Sequence, residues 1–246
     1  MEETIRRSYA LTASDIDGHR RLRLSSLLSF LQNIATDHAE ILGIGGDRMM
    51  GEYGAFWMMV RSYLSLRRPI TIEDEMLTIH TWHRGVGKTA SVFRDFDIYV
   101  GDEWVGEAVA SWVMVDIEAR RIQKPSSFPA LLEALWPAVV KDIVPAKVSM
   151  PKELTEAFRR FVWYSDTDIN GHMNNTKYAD VACDAIRYER CGDRFVSEMQ
   201  ISYLRESFPG DELGVLTASL GDDCFVRGVD SAGEVRFEVR LGLSGV

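Results

Sequence analysis

The chain has 246 residues, 46% of them hydrophobic and 26% charged, a composition that excludes a disordered or low-complexity protein. Its net charge of −9 is opposite to the usual balance of a nucleic-acid-binding domain, so no nucleic-acid partner is expected. No apolar run approaches the roughly 20 residues needed to span a membrane. The N-terminus lacks the apolar segment of a signal peptide, and the three cysteines lack metal-site spacing. These features predict a cytoplasmic protein with reduced thiols and no metal.

Prolines divide the chain. Five of the seven fall between Pro125 and Pro151, and such a stretch is typical of a connector between domains. A short helix is possible within it, at about 131–135. We therefore predict an N-terminal domain at 1–124, a linker at 125–151 and a C-terminal domain at 152–246.

The two predicted domains resemble each other. Asp15–His19 aligns with Asp168–His172 at an offset of 153 (168 − 15 = 153), and each motif precedes a stretch of helical periodicity. The first helix is expected to end near Gly43 and the second near Gly192. The apolar positions that define the first helical face are Leu24, Leu27, Leu28, Leu31, Ile34 and Ala35, and those of the second are Tyr178, Val181, Ala182, Ala185 and Ile186.

Strands are expected after each helix. Ser62–Leu64 matches Ser202–Leu204 at an offset of 140 (202 − 62 = 140), so the first half carries 13 more residues between motif and strand (153 − 140 = 13). Further strands are predicted near 92–100, 105–115, 213–220 and 235–243. A helix this apolar needs a sheet to cover it. The order predicts an α+β fold in which one helix is wrapped by a curled antiparallel sheet, twice: a double hotdog.

The densest polar stretch is 163–178. Its Asp, Asn and Gly residues are ordinary for a turn followed by a helix N-cap. An EF-hand calcium loop is excluded because Lys177 stands where that loop needs a Glu. The third interpretation is catalysis. In an extended segment, Asp168, Asn170 and His172 would project to one side, just before a helix N-terminus whose free N–H groups favour an oxyanion. Thioester hydrolysis needs such a base and such donors.

The same stretch resembles the signature of the acyl–acyl carrier protein thioesterases of plants and bacteria, an Asp-x-Asn-x-His followed by x-Asn-Asn-x-Lys-Tyr. The resemblance covers most of the chain and implies a double hotdog that hydrolyses fatty acyl-carrier thioesters in fatty acid biosynthesis without a cofactor. Other segments that resemble the family are Trp57–Arg61, Thr81–Lys88, Arg94–Phe96, Ser111–Asp116 and Arg120–Arg121.

The resemblance implies a catalytic role for Asp168, Asn170 and His172, completed by Glu206 on a later strand. Plant members carry a Cys after that Glu, and here the position is Ser207, so a papain-like Cys–His mechanism is not expected. Two alternatives stay open: Asp168 or Glu206 either activates water or attacks the thioester carbonyl. His172 would move a proton or stabilise the charged carboxylate.

The N-terminal copy has Asp17 where Asn170 stands, and at the offset of 140 it has Leu66 where Glu206 stands. We therefore predict that it is not a second active site and holds the acyl chain instead. The expected acyl-binding residues are Phe30, Leu31, Ile34, Trp57 and Met59, for each of which plain core packing is the alternative.

An acidic carrier protein is the expected transient partner, docked by Arg20, Arg21 and Arg23; an ordinary solvated surface is the alternative. An acyl-CoA thioesterase, a hotdog hydratase or dehydratase, and a non-catalytic acyl-binding protein are the rival functions. Pairing of two chains into a homodimer stays possible.

Overall fold

The computed structural model describes residues 4–86, 90–134 and 141–246. The helices are α1 Leu24–Ile41, α2 Gly46–Tyr53, α3 Pro129–Glu133 and α4 Lys177–Ala185. The strands are β1 Thr4–Ala10, β2 Ala55–Leu66, β3 Met76–Val86, β4 Val92–Val100, β5 Glu103–Asp116, β6 Ile122–Gln123, β7 Thr155–Phe161, β8 Arg194–Tyr203, β9 Glu212–Leu220, β10 Asp223–Val229 and β11 Val235–Gly245.

The strands form one antiparallel sheet in the order β1-β3-β4-β5-β2-β8-β11-β10-β9-β7, with β6 paired to β5. The order reads the same from both ends once β1 is matched to β7, β2 to β8, and so on to β5 and β11. Each half therefore has a strand, a helix and four further antiparallel strands. The last three of these strands form a meander, and the strand after the helix pairs with the last of them, β2 with β5 and β8 with β11. The two halves meet edge to edge. The predicted double-hotdog α+β fold is confirmed.

The halves join through β2 and β8. Arg61 pairs with Ser202, and Ser62 pairs with Ile201. Adding the repeat offset of 140 to residues 61 and 62 gives 201 and 202, so the two pairs exchange under the repeat. A local twofold axis therefore passes through this ladder. Joining the halves here removes an unpaired sheet edge from each of them.

Helices α1 and α4 contact each other and pack into the same apolar core. Helix α1 has 18 residues and α4 only nine. Contrary to the expectation that the second helix would continue to Gly192, it ends at Ala185, because Arg187 takes a left-handed backbone with φ of 56°. The 13 extra residues of the first half lengthen α1 and form α2.

Residues 141–148 cross the sheet on the face away from the helices. His83 contacts Arg94 and lies beside α1, whereas its neighbour Arg84 points to the other side. There Arg84 donates to the Ile143 carbonyl at 2.7 Å, and the Val148 N–H reaches Ser202 Oγ at 3.2 Å. The short helix expected near 131–135 is α3, and Leu135 lies outside the described residues.

The core of the first half contains a buried polar cluster. Arg94 donates to His38 Nδ1 at 2.9 Å, to His83 Nε2 at 2.6 Å and to Thr81 Oγ1 at 3.3 Å. Burial lowers the Arg94 pKa to about 9, and burial with the adjacent Arg94 cation lowers the His83 pKa well below its ordinary value. Both histidine nitrogens facing Arg94 must therefore accept, which keeps these faces unprotonated.

Among residues 4–86, 90–134 and 141–246, no helix combines the length and the apolar composition that a membrane span needs.

Candidate active site

The Asp168–His172 segment is a turn, which corrects the extended conformation expected from the sequence. The Asp168 N–H donates to the His172 carbonyl at 3.1 Å, and the Gly171 N–H donates to the Asp168 carbonyl at 3.0 Å. Gly171 has a φ of 76°, where glycine avoids the Cβ penalty. A turn brings its two ends together, so Asp168 and His172 converge while Asn170 sits at the exposed tip.

His172 lies between two carboxylates. Its Nδ1 is 3.9 Å from Asp168 Oδ1, and its Nε2 is 3.9 Å from Glu206 Oε1. All three side chains are partly shielded, with 21% of His172, 12% of Asp168 and 32% of Glu206 exposed. These separations are about 0.7 Å longer than an ordinary hydrogen bond, a gap that side-chain rotations can close. His172 Nδ1 also donates to the Met173 carbonyl at 3.3 Å. The ring therefore lies between the two carboxylates with Nε2 towards Glu206.

The backbone around Glu206 is anchored to the turn. Arg236 Nη1 donates to the Glu206 carbonyl, and the Met173 N–H donates to the Ser207 carbonyl at 2.8 Å. The Glu206 carboxylate itself accepts no hydrogen bond from the described residues. Two basic side chains lie beside it: His172, and Arg120 with Nη2 3.7 Å from Oε2. The Glu206 backbone is thus held next to the turn that carries His172, while the Glu206 carboxylate stays available to a substrate or water.

The amide donors differ from the sequence expectation. The Asn170 N–H donates to Asp168 Oδ1 at 2.8 Å, which steadies the Asp168 carboxylate. Its side-chain amide is exposed and makes no hydrogen bond within the described parts of the chain. Two N–H groups at the α4 N-terminus are already used, because those of Thr176 and Lys177 donate to Asn174. The exposed side-chain amide of Asn170 is therefore a donor that stays available at the tip of the turn.

A narrow apolar cavity runs between α1 and the sheet, and it reaches the C-terminal half at Asn175 and Thr176. Its lining residues are Leu28, Leu31, Gln32, Ala35, Met59, Ser62, Tyr63, Phe96, Ala108, Val109, Ala110, Trp112, Asn175, Thr176 and Tyr203. Tyr203 Oη also reaches the Asn175 carbonyl at 3.3 Å. Asn175 follows the Asp168–His172 turn by three residues, so the cavity wall and the turn are close neighbours along the chain.

Two of the five residues expected to hold an acyl chain, Leu31 and Met59, line this cavity. The other three lie elsewhere. Phe30 stacks on Tyr9, Ile34 is fully buried in the main core, and Trp57 donates to the Ile44 carbonyl and packs on a second core cluster.

The three arginines expected to dock a carrier lie in the N-terminal turn. Arg20 is exposed and paired with Glu73. Arg21 donates to the Arg194 carbonyl, and Arg23 to the Ile16 carbonyl at 3.1 Å. Arg21 and Arg23 line a cleft between this turn and α4, separate from the apolar cavity.

Matching hydrogen bonds correct the sequence alignment of the two turns. The Asp17 N–H donates to the Arg21 carbonyl as that of Asp168 does to His172. The N–H of residue 19 donates to Asp17 Oδ1 as that of Asn170 does to Asp168. The offset within the turns is therefore 151 (168 − 17 = 151), not 153. The second half has two additional residues between its turn and its helix. Helix α4 starts at Lys177 and α1 at Leu24, so the helix starts differ by 153 (177 − 24 = 153).

The corrected register changes the comparison of side chains. Arg21 occupies the place of His172, and His19 that of Asn170. The Leu22 N–H donates to the Ile70 carbonyl as the Met173 N–H does to that of Ser207. The residue before the accepting carbonyl is Pro69 in the N-terminal half and Glu206 in the C-terminal half. In the corrected register, Pro69 therefore corresponds to Glu206, and Leu66 does not.

Two residues around the site had no assigned role from sequence. Arg236 fixes the Glu206 carbonyl, and Arg120 approaches its carboxylate from the β5–β6 turn. Arg120 carried a signal as part of a segment that resembles the family. Its contact with Glu206 spans 86 residues of sequence (206 − 120 = 86), a separation for which local pattern gives no indication.

Comparison with known proteins agrees with this architecture. The acyl-ACP thioesterase N-terminal domain matches residues 2–126, and the acyl-ACP thioesterase C-terminal domain matches residues 151–242. The Gly87–Lys88 part of the resemblance lies outside the described residues.

Among curated relatives, the chloroplastic dodecanoyl-[acyl-carrier-protein] hydrolase of Cinnamomum camphora is 25% identical over 237 residues, which cover 88% of this chain and 59% of the relative. The curated relatives compared are longer, and the match spans 54% to 64% of their length.

Two solved structures share the fold over nearly the whole of both chains. The 12:0-ACP thioesterase of Umbellularia californica has a TM-score of 0.87 at 19% identity, covering 100% of this chain and 99% of its own. An acyl-ACP thioesterase of Bacteroides thetaiotaomicron has a TM-score of 0.82 at 21% identity, covering 98% of each chain. With both family domains matched in order along the sequence, the chain belongs to the acyl-ACP thioesterase family.

Proposed function

We propose that this chain hydrolyses fatty acyl thioesters of an acyl carrier protein, releasing the free fatty acid and the carrier thiol in fatty acid biosynthesis. The observation that carries the proposal is His172 between Asp168 and Glu206, beside an apolar cavity that begins three residues further along the chain. A thioester with a long acyl chain needs both a proton-transfer site and an apolar channel next to it.

Glu206 is proposed as the base for the attacking water, and Asp168 as the group that orients His172. The Asp168 carboxylate already accepts the Asn170 N–H, whereas that of Glu206 accepts no hydrogen bond from the described residues. Water adds its oxygen to the carbonyl carbon while Glu206 takes one of its protons. When the carbon–sulfur bond of the tetrahedral intermediate breaks, this proton passes from Glu206 through His172 to the leaving thiolate. The Asn170 amide is the proposed donor to the developing oxyanion.

The N-terminal half is proposed to hold the acyl chain and the C-terminal half to carry out catalysis, with domains at 1–124 and 152–246 joined by the 125–151 linker. Leu31 and Met59 support the first assignment because they line the cavity. Phe30, Ile34 and Trp57 then act as the packing behind that wall rather than by direct contact.

A turnover panel tests the function. Purified protein is given acyl carrier protein thioesters and CoA thioesters from 8 to 18 carbons, and thiol release is measured. We expect turnover of both carriers with a higher kcat/KM for the carrier protein. Preference for CoA would favour the acyl-CoA thioesterase alternative. Stoichiometric acyl binding without thiol release would instead identify an acyl-binding protein.

Arg20, Arg21 and Arg23 remain our proposed carrier-docking residues, since Arg20 and Arg23 are exposed. Charge reversal at these two positions should raise KM for the carrier protein and leave KM for CoA substrates unchanged. An equal KM for both forms of the protein would remove this patch as the dock. We also propose a cytoplasmic location, because the three cysteines are free and reduced thiols are typical of that compartment. We further propose that the protein forms a homodimer, which sedimentation can test.

A further inference from the structure

Arg120 is the residue of the N-terminal half that reaches the proposed catalytic carboxylate. Its Nη2 lies 3.7 Å from Glu206 Oε2, while His172 Nε2 lies 3.9 Å from the other oxygen, Oε1. The carboxylate thus has an imidazole on one oxygen and a guanidinium on the other. With one oxygen attracted to Arg120, the second is directed towards His172.

The backbone of Arg120 is held in a conformation that does not favour arginine. Its φ is 52°, in the left-handed region where glycine is preferred. The turn is closed on both sides, because the Arg120 N–H donates to the Asp116 carbonyl at 3.0 Å and the Asp116 N–H to the Arg121 carbonyl at 2.9 Å. A large side chain at a turn position suited to glycine is a reason to ask what that side chain contacts.

The guanidinium is also placed by an aromatic ring. Its carbon lies 5.4 Å from the centroid of Phe56, the second residue of β2. That distance suits a cation–π contact, which restricts the rotamers of an otherwise exposed side chain. Arg120 is 64% exposed, so without the ring and the closed turn its side chain would sample many positions away from Glu206.

From the ion-pair geometry, the strained turn and the ring contact, we infer that Arg120 is a positioning residue for the thioesterase reaction. It holds the Glu206 carboxylate towards His172 across the boundary between the two halves. This inference rests on the proposed function. The N-terminal half thereby contributes a side chain to the site in addition to the proposed acyl cavity.

The test compares Arg120→Ala, Arg120→Gly and Arg120→Lys with the matched control Arg121→Ala, an exposed arginine of the same turn. The substrate is the acyl carrier protein thioester that the wild type turns over fastest. We expect the Ala and Gly variants to lose about two- to fivefold in kcat, as for one exposed charge pair, with KM within twofold. Lys should restore part of the rate, and Arg121→Ala should match wild type.

Two further readouts separate positioning from folding. The melting temperature of Arg120→Gly should not fall, because glycine relieves the left-handed strain. In a Glu206→Gln background, whose slow residual rate is measured at high enzyme concentration, Arg120→Ala should cause no additional loss. Unchanged kcat in both the Ala and Gly variants, or full additivity with Glu206→Gln, overturns the inference while wild-type turnover stands. A wild type without thioesterase activity overturns the proposed function and this inference together.

Discussion

The turns at Asp17–Arg21 and Asp168–His172 have the same backbone hydrogen bonds and differ in the side chains that they present. Both are closed by the same N–H to carbonyl contact, and in both an aspartate accepts the N–H two residues on. The residue opposite that aspartate is His172 in one turn and Arg21 in the other. Glu206 faces the first turn, and Pro69 takes its place at the second. The shared Asp is therefore explained by turn formation, and the proposed chemistry depends on what surrounds it.

Paired substitutions at the two aspartates should give the largest difference. Asp168→Asn keeps the acceptor for the Asn170 N–H but removes the charge beside His172, so we expect kcat/KM to fall by about 10²–10⁴-fold. Asp17→Asn, the matched change in the other turn, should leave turnover within twofold. Thiol release and the melting temperature are measured for both variants. Equal losses in the two would mean that the aspartates act on folding alone.

The corrected register makes a second contrast. The sequence alignment pairs His19 with His172, but the hydrogen bonds place His19 opposite Asn170. His172→Gln should lower kcat by about 10²-fold, since a glutamine cannot transfer the proton. His19→Gln should have no effect on kcat with either carrier. A comparable loss at His19 would argue for a second functional site in the N-terminal turn.

The assignment of acyl binding to the N-terminal half is tested at the cavity wall. Ala35→Leu adds bulk on α1 where the acyl chain is proposed to lie, so the preferred chain should shorten. Each excluded methylene should cost about 0.8 kcal/mol, or roughly fourfold in kcat/KM. Ala182→Leu on α4, buried but outside the cavity lining, controls for overpacking. A chain-length profile unchanged by Ala35→Leu would contradict the N-terminal acyl site.

The smallest expected effect concerns stability. The folded-state pKa of His83 is depressed, so protonation near pH 6.5 favours the unfolded chain. Its contribution is thus present above about pH 6.5 and declines as the pH falls below that value, by up to about 1.4 kcal/mol per unit. Urea unfolding at pH 7.5 and 5.5 should show the loss. His83→Gln retains an acceptor for Arg94 without titrating, and it should show a flatter pH dependence. Identical pH dependence in both proteins would exclude His83 as the source.

Much of this architecture follows from local sequence. The helical faces of α1 and α4 and the strands at 92–100 and 213–220 are set by residue periodicity, which responds to whether one side of an element is buried. The repeat predicted two similar halves, and the symmetric β2–β8 ladder is the form in which they join. Family-like motifs named Asp168, His172 and Glu206, which the fold brings together.

Only the tertiary structure decided the conformation and neighbours of those groups. A five-residue motif can be extended or turned, and the choice here depends on hydrogen bonds that close the loop and on Gly171. The correct register of the two turns is set by their matched backbone hydrogen bonds. The identical residues of the two motifs lie two positions out of that register, so sequence alignment alone gives the wrong pairing. Arg120 meets Glu206 because the two halves share one sheet. A contact of that kind arises from packing between distant segments, and no pattern within either segment encodes it.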